Sequence, residues 1–143
     1  MNRHRKWVSI LFPRAIRVIY SHYGFRYMHQ EIYLIDHFRE SLLSGKYISI
    51  QAENAHGQTI GHIALSEHDW FPGIPEACNL VVKEFARGVK ASGLLVDAAL
   101  CEAASKSFES IYALPVIRHP ISQKLFNRHG FTPCGVYFHV FPP

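Results

Sequence analysis

Apolar and polar residues alternate from Tyr47 to Ala52 and again from Thr59 to Leu65, on either side of a turn at residues 54–58 that holds Gly57. Successive strand side chains point to opposite faces, so this alternation marks two half-buried strands, and the short glycine turn makes them a hairpin. Ala77 to Val82 reads as a third strand, and Ile111 to Ile117 as a buried fourth. Phe131 to Phe141, again alternating, closes the chain as a fifth. Other segments carry helical spacing. Pro13 followed by Ala15, Ile16, Val18 and Ile19 predicts a short helix opening at a proline. Asp36 reads as the N-cap of a helix through Leu43 that Gly45 ends. Residues 21–35, flanked by Tyr20 and rich in Tyr23, Phe25, Tyr27 and Tyr33, read as a loop or an irregular aromatic wall. Ser92 to Lys106 is apolar almost all round and predicts a long, well-buried helix, and Pro120 to His129 a short one ended by Gly130. The order is helix, helix, hairpin, strand, helix, strand, helix, strand. It predicts an α/β domain whose first strands are antiparallel, with one parallel crossover around the long helix.

Composition narrows the class. The 143 residues suit one domain, 1–143, and 48% apolar with 18% charged residues excludes a disordered or fibrous chain. Cys78, Cys101 and Cys134 form no close pair, so reduced cysteines in a cytoplasmic protein are expected rather than a disulfide framework. The formal net charge of +4 favours anionic partners without choosing among them. No nucleic-acid-binding motif accompanies it. The basic start, Arg3 to Lys6, precedes an apolar run, Trp7 to Phe12, too short for a signal-peptide core or a membrane span. No membrane partner is expected. His56, His62 and His68 are evenly spaced but fall on different turns and strands, so no metal site is expected.

The segment from Leu80 through Val82, Lys83, Arg87 and Gly88 to Leu95 holds the candidate chemistry. A strand ends, a glycine-bearing turn follows, and a helix starts. The first amides of a helix lack internal acceptors and its dipole favours negative charge there. Glycine lets a phosphate approach the backbone, and a flanking Arg or Lys adds charge. The same pattern also serves an ordinary strand-to-helix connection.

This segment resembles the signature of the GNAT superfamily of acetyl-coenzyme A-dependent N-acetyltransferases. In that signature an Arg or Gln after a strand precedes a glycine and then a small residue at fixed spacing. Arg87 matches the first position, Gly88 the frequent Arg-Gly pair, and Ser92 the small residue, while Lys90 stands where the first signature glycine is expected. His119-Pro120-Ile121-Ser122-Gln123-Lys124, then Gly130-Phe131 and Gly135, is similar to a pattern of one bacterial branch. So are Tyr23-Gly24-Phe25-Arg26-Tyr27, Tyr33, Ser44-Gly45 and Gly61-His62 upstream. The resemblance covers most of residues 13–141. It implies the acyl-CoA N-acyltransferase fold: a mixed, mostly antiparallel twisted sheet flanked by helices, here with the last strand absent or replaced by 135–141. Acetyl-CoA would be the co-substrate. Its arm would pair with the backbone of Leu80, Val81 and Val82, and its pyrophosphate would sit on Arg87, Gly88, Val89, Lys90, Ala91, Ser92 and Gly93. His119, Ser122 and Phe126 would also contact it. The open gap in such a sheet is a pairing liability that a homodimer contact or strand exchange would cover.

Acetyl transfer needs a neutral amine, a polarised thioester and a protonated leaving thiolate. The resemblance implies a glutamate base on the strand before the phosphate turn, and Glu76 is the carboxylate placed there; His62 and His68 are alternatives, because imidazole titrates near neutrality. Glu76 also reads as a solvated loop carboxylate. The family's acid is a tyrosine in the late helix, where this chain has Phe126, so Tyr137 or Ser122 would substitute. Two functions follow. One is an N-acetyltransferase acting on an amine of a small molecule or protein. The alternative is a catalytically impaired acyl-CoA-binding or protein-interaction module, which Lys90 and Phe126 motivate.

Overall fold

The structure is a computed structural model that describes residues 14–27, 30–88, 90–116 and 120–136. A first helix, α1, covers residues 14–23. Ala15, Val18 and Ile19 are buried at helical spacing, which docks one face of α1 on the sheet. The helix therefore runs three residues into the stretch read as loop, because residues 21–23 continue its hydrogen-bonding pattern. Two 3-10 turns follow, Gly24–Arg26 and Gln30–Tyr33. Tyr33 donates its hydroxyl to the Gly24 carbonyl at 2.7 Å, and the Phe25 ring lies 5.6 Å from that of Tyr33.

Helix α2 spans Ile35–Ser44. Leu34 occupies its N-cap and Asp36 lies in its first turn, so the helix starts two residues earlier than expected. There the carboxylate meets the helix dipole but accepts no capping bond. Gly45, at φ 79°, ends α2 in the left-handed region as expected.

Strands β1 (Tyr47–Glu53), β2 (Thr59–Ser66) and β3 (Glu76–Val82) form one antiparallel sheet in the order β1-β2-β3. Asn54 shapes the hairpin turn, its Oδ1 accepting from the amides of His56 and Gln58 at 3.0 Å each. Central β2 is buried on both faces because alternate residues serve different cores. Ala64 packs with Val18, Ile19, Phe38 and Tyr47 beneath α1 and α2. Ile63 and Leu65 pack with Leu95, Val96 and Ala99 of helix α3, Ala91–Ser105. Gly61 lets α3 approach: a Cβ built there would lie 2.9 Å from Leu95 Cδ1.

Three expectations need correction. Helix α3 buries only Ala91, Leu95, Val96, Ala99 and Ala103, while Leu94 is 64% exposed. One layer of sheet covers one face of a helix, whatever the sequence on its other face. Residues 111–116 make no strand beyond an isolated parallel bridge of Tyr112 to Glu76. The Ala77 amide donates to the Tyr112 carbonyl at 2.7 Å, and the Tyr112 amide to the Pro75 carbonyl at 3.2 Å. No further ladder pairing joins the two segments among the described residues. Residues 131–136 follow helix α4 (Ile121–Arg128) without strand structure, and the rest of the expected last strand lies outside the described residues. No helix among the described residues is long and apolar enough to cross a membrane.

Candidate functional site

Beyond the Tyr112 bridge, β3 is paired on one side only among the described residues. The Lys83 amide donates across to the Ile60 carbonyl of β2 at 2.8 Å. Strand backbone groups alternate sides, so those of Val82 and Leu80 face the free edge, while the Val81 side chain is buried in the core beneath α1. A free edge of this kind accepts an extended, amide-bearing chain as an added strand.

Past β3 the chain makes a 3-10 turn, Glu84–Ala86. The Ala86 amide donates to Lys83 at 2.9 Å and that of Arg87 to Glu84 at 3.1 Å. Arg87 was expected to offer its amide to a phosphate; the turn itself already engages that amide. Its guanidinium reaches back to α1, Nη2 donating to His22 Nδ1 at 3.1 Å. Gly88 has φ 90° and Lys90 φ 61°. Lys90 thus adopts the left-handed backbone that favours glycine, at the position where the GNAT signature has one. The departure changes the side chain and keeps the local backbone, at a strain of about 1–2 kcal/mol. Lys90 is exposed, so its ammonium stands clear of the core. The Leu94 amide donates to Lys90 at 3.1 Å, and the amides of Ala91, Ser92 and Gly93 before it donate to no acceptor among the described residues. These three amides stand at the start of a 15-residue helix, where its dipole favours negative charge. Val89 lies outside the described residues.

In mid-strand, β3 carries a bulge that sequence reasoning missed. His62 pairs with Val81 and Ala64 with Cys78, so β3 has one residue more than β2 between them. Asn79, at φ 55°, absorbs it. A polar residue within an apolar strand run was the available signal. The Asn79 carbonyl accepts from His62 Nδ1 at 3.1 Å, which fixes the tautomer. His62 Nε2 then accepts from the Ser49 hydroxyl at 3.0 Å. The Asn79 side chain donates to the Tyr47 hydroxyl at 2.6 Å and accepts from that of Tyr27. Burial pushes the His62 pKa down to about 4, against a smaller opposing effect of its bond to Asn79. His62 is neutral, fully buried and bonded at both nitrogens, which removes it from the candidate bases.

The opposite end of β3 opens on a cavity of about 300 Å³. Glu76, His68, Trp70, Cys78, Asn79 and Tyr47 line it. Glu76 is only 6% exposed, so it is not a solvated loop carboxylate. Its Oε2 lies 3.0 Å from His68 Nε2, and the His68 ring stacks on Trp70 at 4.4 Å with the planes 5° apart. Glu76 and His68, separate candidates in the sequence, form one unit.

The late helix is less complete. Ser122 Oγ is buried without a partner among the described residues, and Gln123 donates to the Val116 carbonyl at 3.1 Å. Phe126, expected at the cofactor, is a core residue. Its side chain packs against Phe131 at 4.8 Å within the cluster of Leu65 and Leu95, because that face of α4 closes the core under α3. His119 and Tyr137 lie outside the described residues.

No protein-family model and no curated protein matches the sequence. Solved structures do match in shape. An acetyltransferase of the GNAT family from Staphylococcus aureus Mu50 superposes with a TM-score of 0.67 at 15% identity, covering 99% of this chain and 86% of that one. A predicted acetyltransferase from Clostridium acetobutylicum, solved with acetyl-CoA, gives 0.69 at 17%, covering 95% and 90%. Glucosamine-6-phosphate N-acetyltransferase from Arabidopsis thaliana gives 0.68 at 12%, covering 94% and 92%. The likeness establishes the architecture: a mixed α/β acyl-CoA N-acyltransferase fold with an antiparallel sheet flanked by helices, as in GNAT acetyltransferases.

Proposed function

We propose that this protein is an N-acetyltransferase that moves an acetyl group from acetyl-CoA to an amine. The observation that carries the reading is the single strand β3. Among the described residues its edge has no partner past the Tyr112 bridge and its far end meets three amides without acceptors, while its near end meets a cavity holding a buried carboxylate. Strand geometry sets those two ends about 20 Å apart, a span suited to a long extended arm. In this reading the arm of acetyl-CoA pairs with Leu80 and Val82. The pyrophosphate lies on Ala91, Ser92 and Gly93, with Lys90 and Gly88 beside it. The acceptor amine occupies the cavity next to Glu76 and His68.

The chemistry then uses this chain's own groups. The amine nitrogen attacks the thioester carbonyl, and the new N–C bond replaces the C–S bond. The Glu76–His68 unit takes the proton that nitrogen sheds. Sulfur leaves with its electron pair and takes a proton from Tyr137, Ser122 or water. The Ser122 hydroxyl fits that task as a donor with no other described acceptor. The cytoplasm, as the compartment that supplies acetyl-CoA, is the proposed location.

The experiment is a melting scan with coenzyme A, followed by an assay of free thiol release from acetyl-CoA across a panel of amines. Ligand at a hundredfold its Kd raises stability by about 2.7 kcal/mol. Amine-dependent thiol release must accompany the melting shift, and Glu76→Gln must slow it while leaving the shift intact. No shift at millimolar coenzyme A overturns the proposal. A shift with no acetylated amine favours the second reading, an acyl-CoA-binding module, for which Phe126 in place of a tyrosine acid is the specific support.

A further inference from the structure

We infer that His68 is the group that takes the amine proton, and that Glu76 is a positioning residue acting through it. The inference rests on the acetyltransferase reading and divides the work within its base unit. Glu76 is buried, and one of its oxygens faces His68 Nε2 at 3.0 Å. A carboxylate accepts and an imidazole N–H donates, so the bond places the ring hydrogen on Nε2. Nδ1 is then the ring's lone-pair nitrogen, and it has no partner among the described residues. The His68 side chain is 21% exposed against 8% for Glu76, and both line the cavity. An amine entering from solvent therefore has the imidazole as the more open acceptor.

Two further contacts hold the ring. Its stack on Trp70 fixes its plane, and the His68 carbonyl accepts the Phe71 amide at 3.0 Å, which ties the loop beneath it. The ring thus has a hydrogen bond on one nitrogen, an aromatic plane against its face and a lone pair on the other nitrogen. The carboxylate that fixes the tautomer also faces the positive charge the ring gains when it is protonated.

The step balances. The amine nitrogen gives its pair to the carbonyl carbon, and its N–H proton passes to His68 Nδ1. The resulting imidazolium keeps its Nε2–H bond to the Glu76 carboxylate. The C–S bond breaks with its pair on sulfur, and one proton returns to the thiolate through solvent, which restores neutral His68. The products are the acetylated amine and free coenzyme A.

The test compares His68→Ala, His68→Gln and Glu76→Gln with the wild-type protein, using the coenzyme A melting shift and the kinetics of thiol release. Loss of a general base lowers kcat by 10²–10⁴-fold. His68→Ala and His68→Gln must show a loss in that range with KM for acetyl-CoA unchanged. Added imidazole must restore a measurable part of the His68→Ala rate, which a merely structural role would not allow. Glu76→Gln must lose less than His68→Ala and gain nothing from imidazole. If His68→Gln keeps its rate while Glu76→Gln is inactive, or imidazole leaves folded His68→Ala unchanged, this inference falls and the acetyltransferase reading stands. If wild-type protein fails to bind coenzyme A or to acetylate any amine, both fall.

Discussion

The buried imidazole of His62 makes stability depend on pH in a way that can be worked out in advance. In the unfolded chain a histidine titrates near 6.5, whereas burial lowers the folded value to about 4. Between those values the unfolded chain binds a proton that the folded protein does not. Stability therefore falls as the pH drops from about 6.5 towards 4, and this contribution is whole above that window. At pH 5 the loss is 1.5 pH units at 1.36 kcal/mol each, about 2 kcal/mol relative to pH 7. The contribution of His62 is isolated by difference. His62→Gln removes the titration. It also weakens the protein at pH 7, because the Asn79 carbonyl and the Ser49 hydroxyl lose their partner. Urea unfolding of both proteins at pH 7 and pH 5 supplies four stabilities. The wild-type loss between the two pH values must exceed that of His62→Gln by about 2 kcal/mol, a difference in midpoint shift on the order of 1 M urea. Equal losses in the two proteins would mean that the folded imidazole accepts a proton freely. The closed network of Ser49, His62, Asn79 and Tyr47 would then be the wrong description of the bulge.

Two more substitutions test the elements that frame the site. Gly61→Ala puts a methyl 2.9 Å from Leu95 Cδ1 and 3.3 Å from the Val81 carbonyl, so α3 or the sheet must move. A loss of about 1–3 kcal/mol is expected, read as a drop in melting temperature; an unchanged melt would show that α3 does not lie this close. Lys90→Gly relieves about 1–2 kcal/mol of left-handed strain against roughly 0.5–1 kcal/mol of added chain entropy, so the protein should hold its stability or gain up to about 1.5 kcal/mol. A clear drop in its melting temperature would show that the lysine side chain is itself needed by the fold.

Local pattern determined much of this protein. The hairpin, the third strand, α3 and α4 fall within a residue or two of where alternation, helical spacing, Gly45, Gly57 and Gly130 put them, because those signals act over a few neighbouring residues. The turn between β3 and α3 was legible for the same reason; the resemblance put Lys90 where a glycine is expected, and the structure alone showed its left-handed backbone. Tertiary structure alone decided the rest. The run at 111–117 reads as a strand, yet its pairing shrinks to a bridge at Tyr112, since apolar residues fix burial but not which backbone lies alongside. Phe126 belongs to the core because α4 lies against α3. The bulge at Asn79 is held by Tyr27, 52 residues earlier in the chain, and by Tyr47, 32 residues earlier, distances over which sequence periodicity carries no information. His62 and His68 look alike in the sequence. One became a sealed structural donor and the other the open partner of a buried carboxylate, because burial and hydrogen-bond partners are properties of packed neighbours and not of residue type.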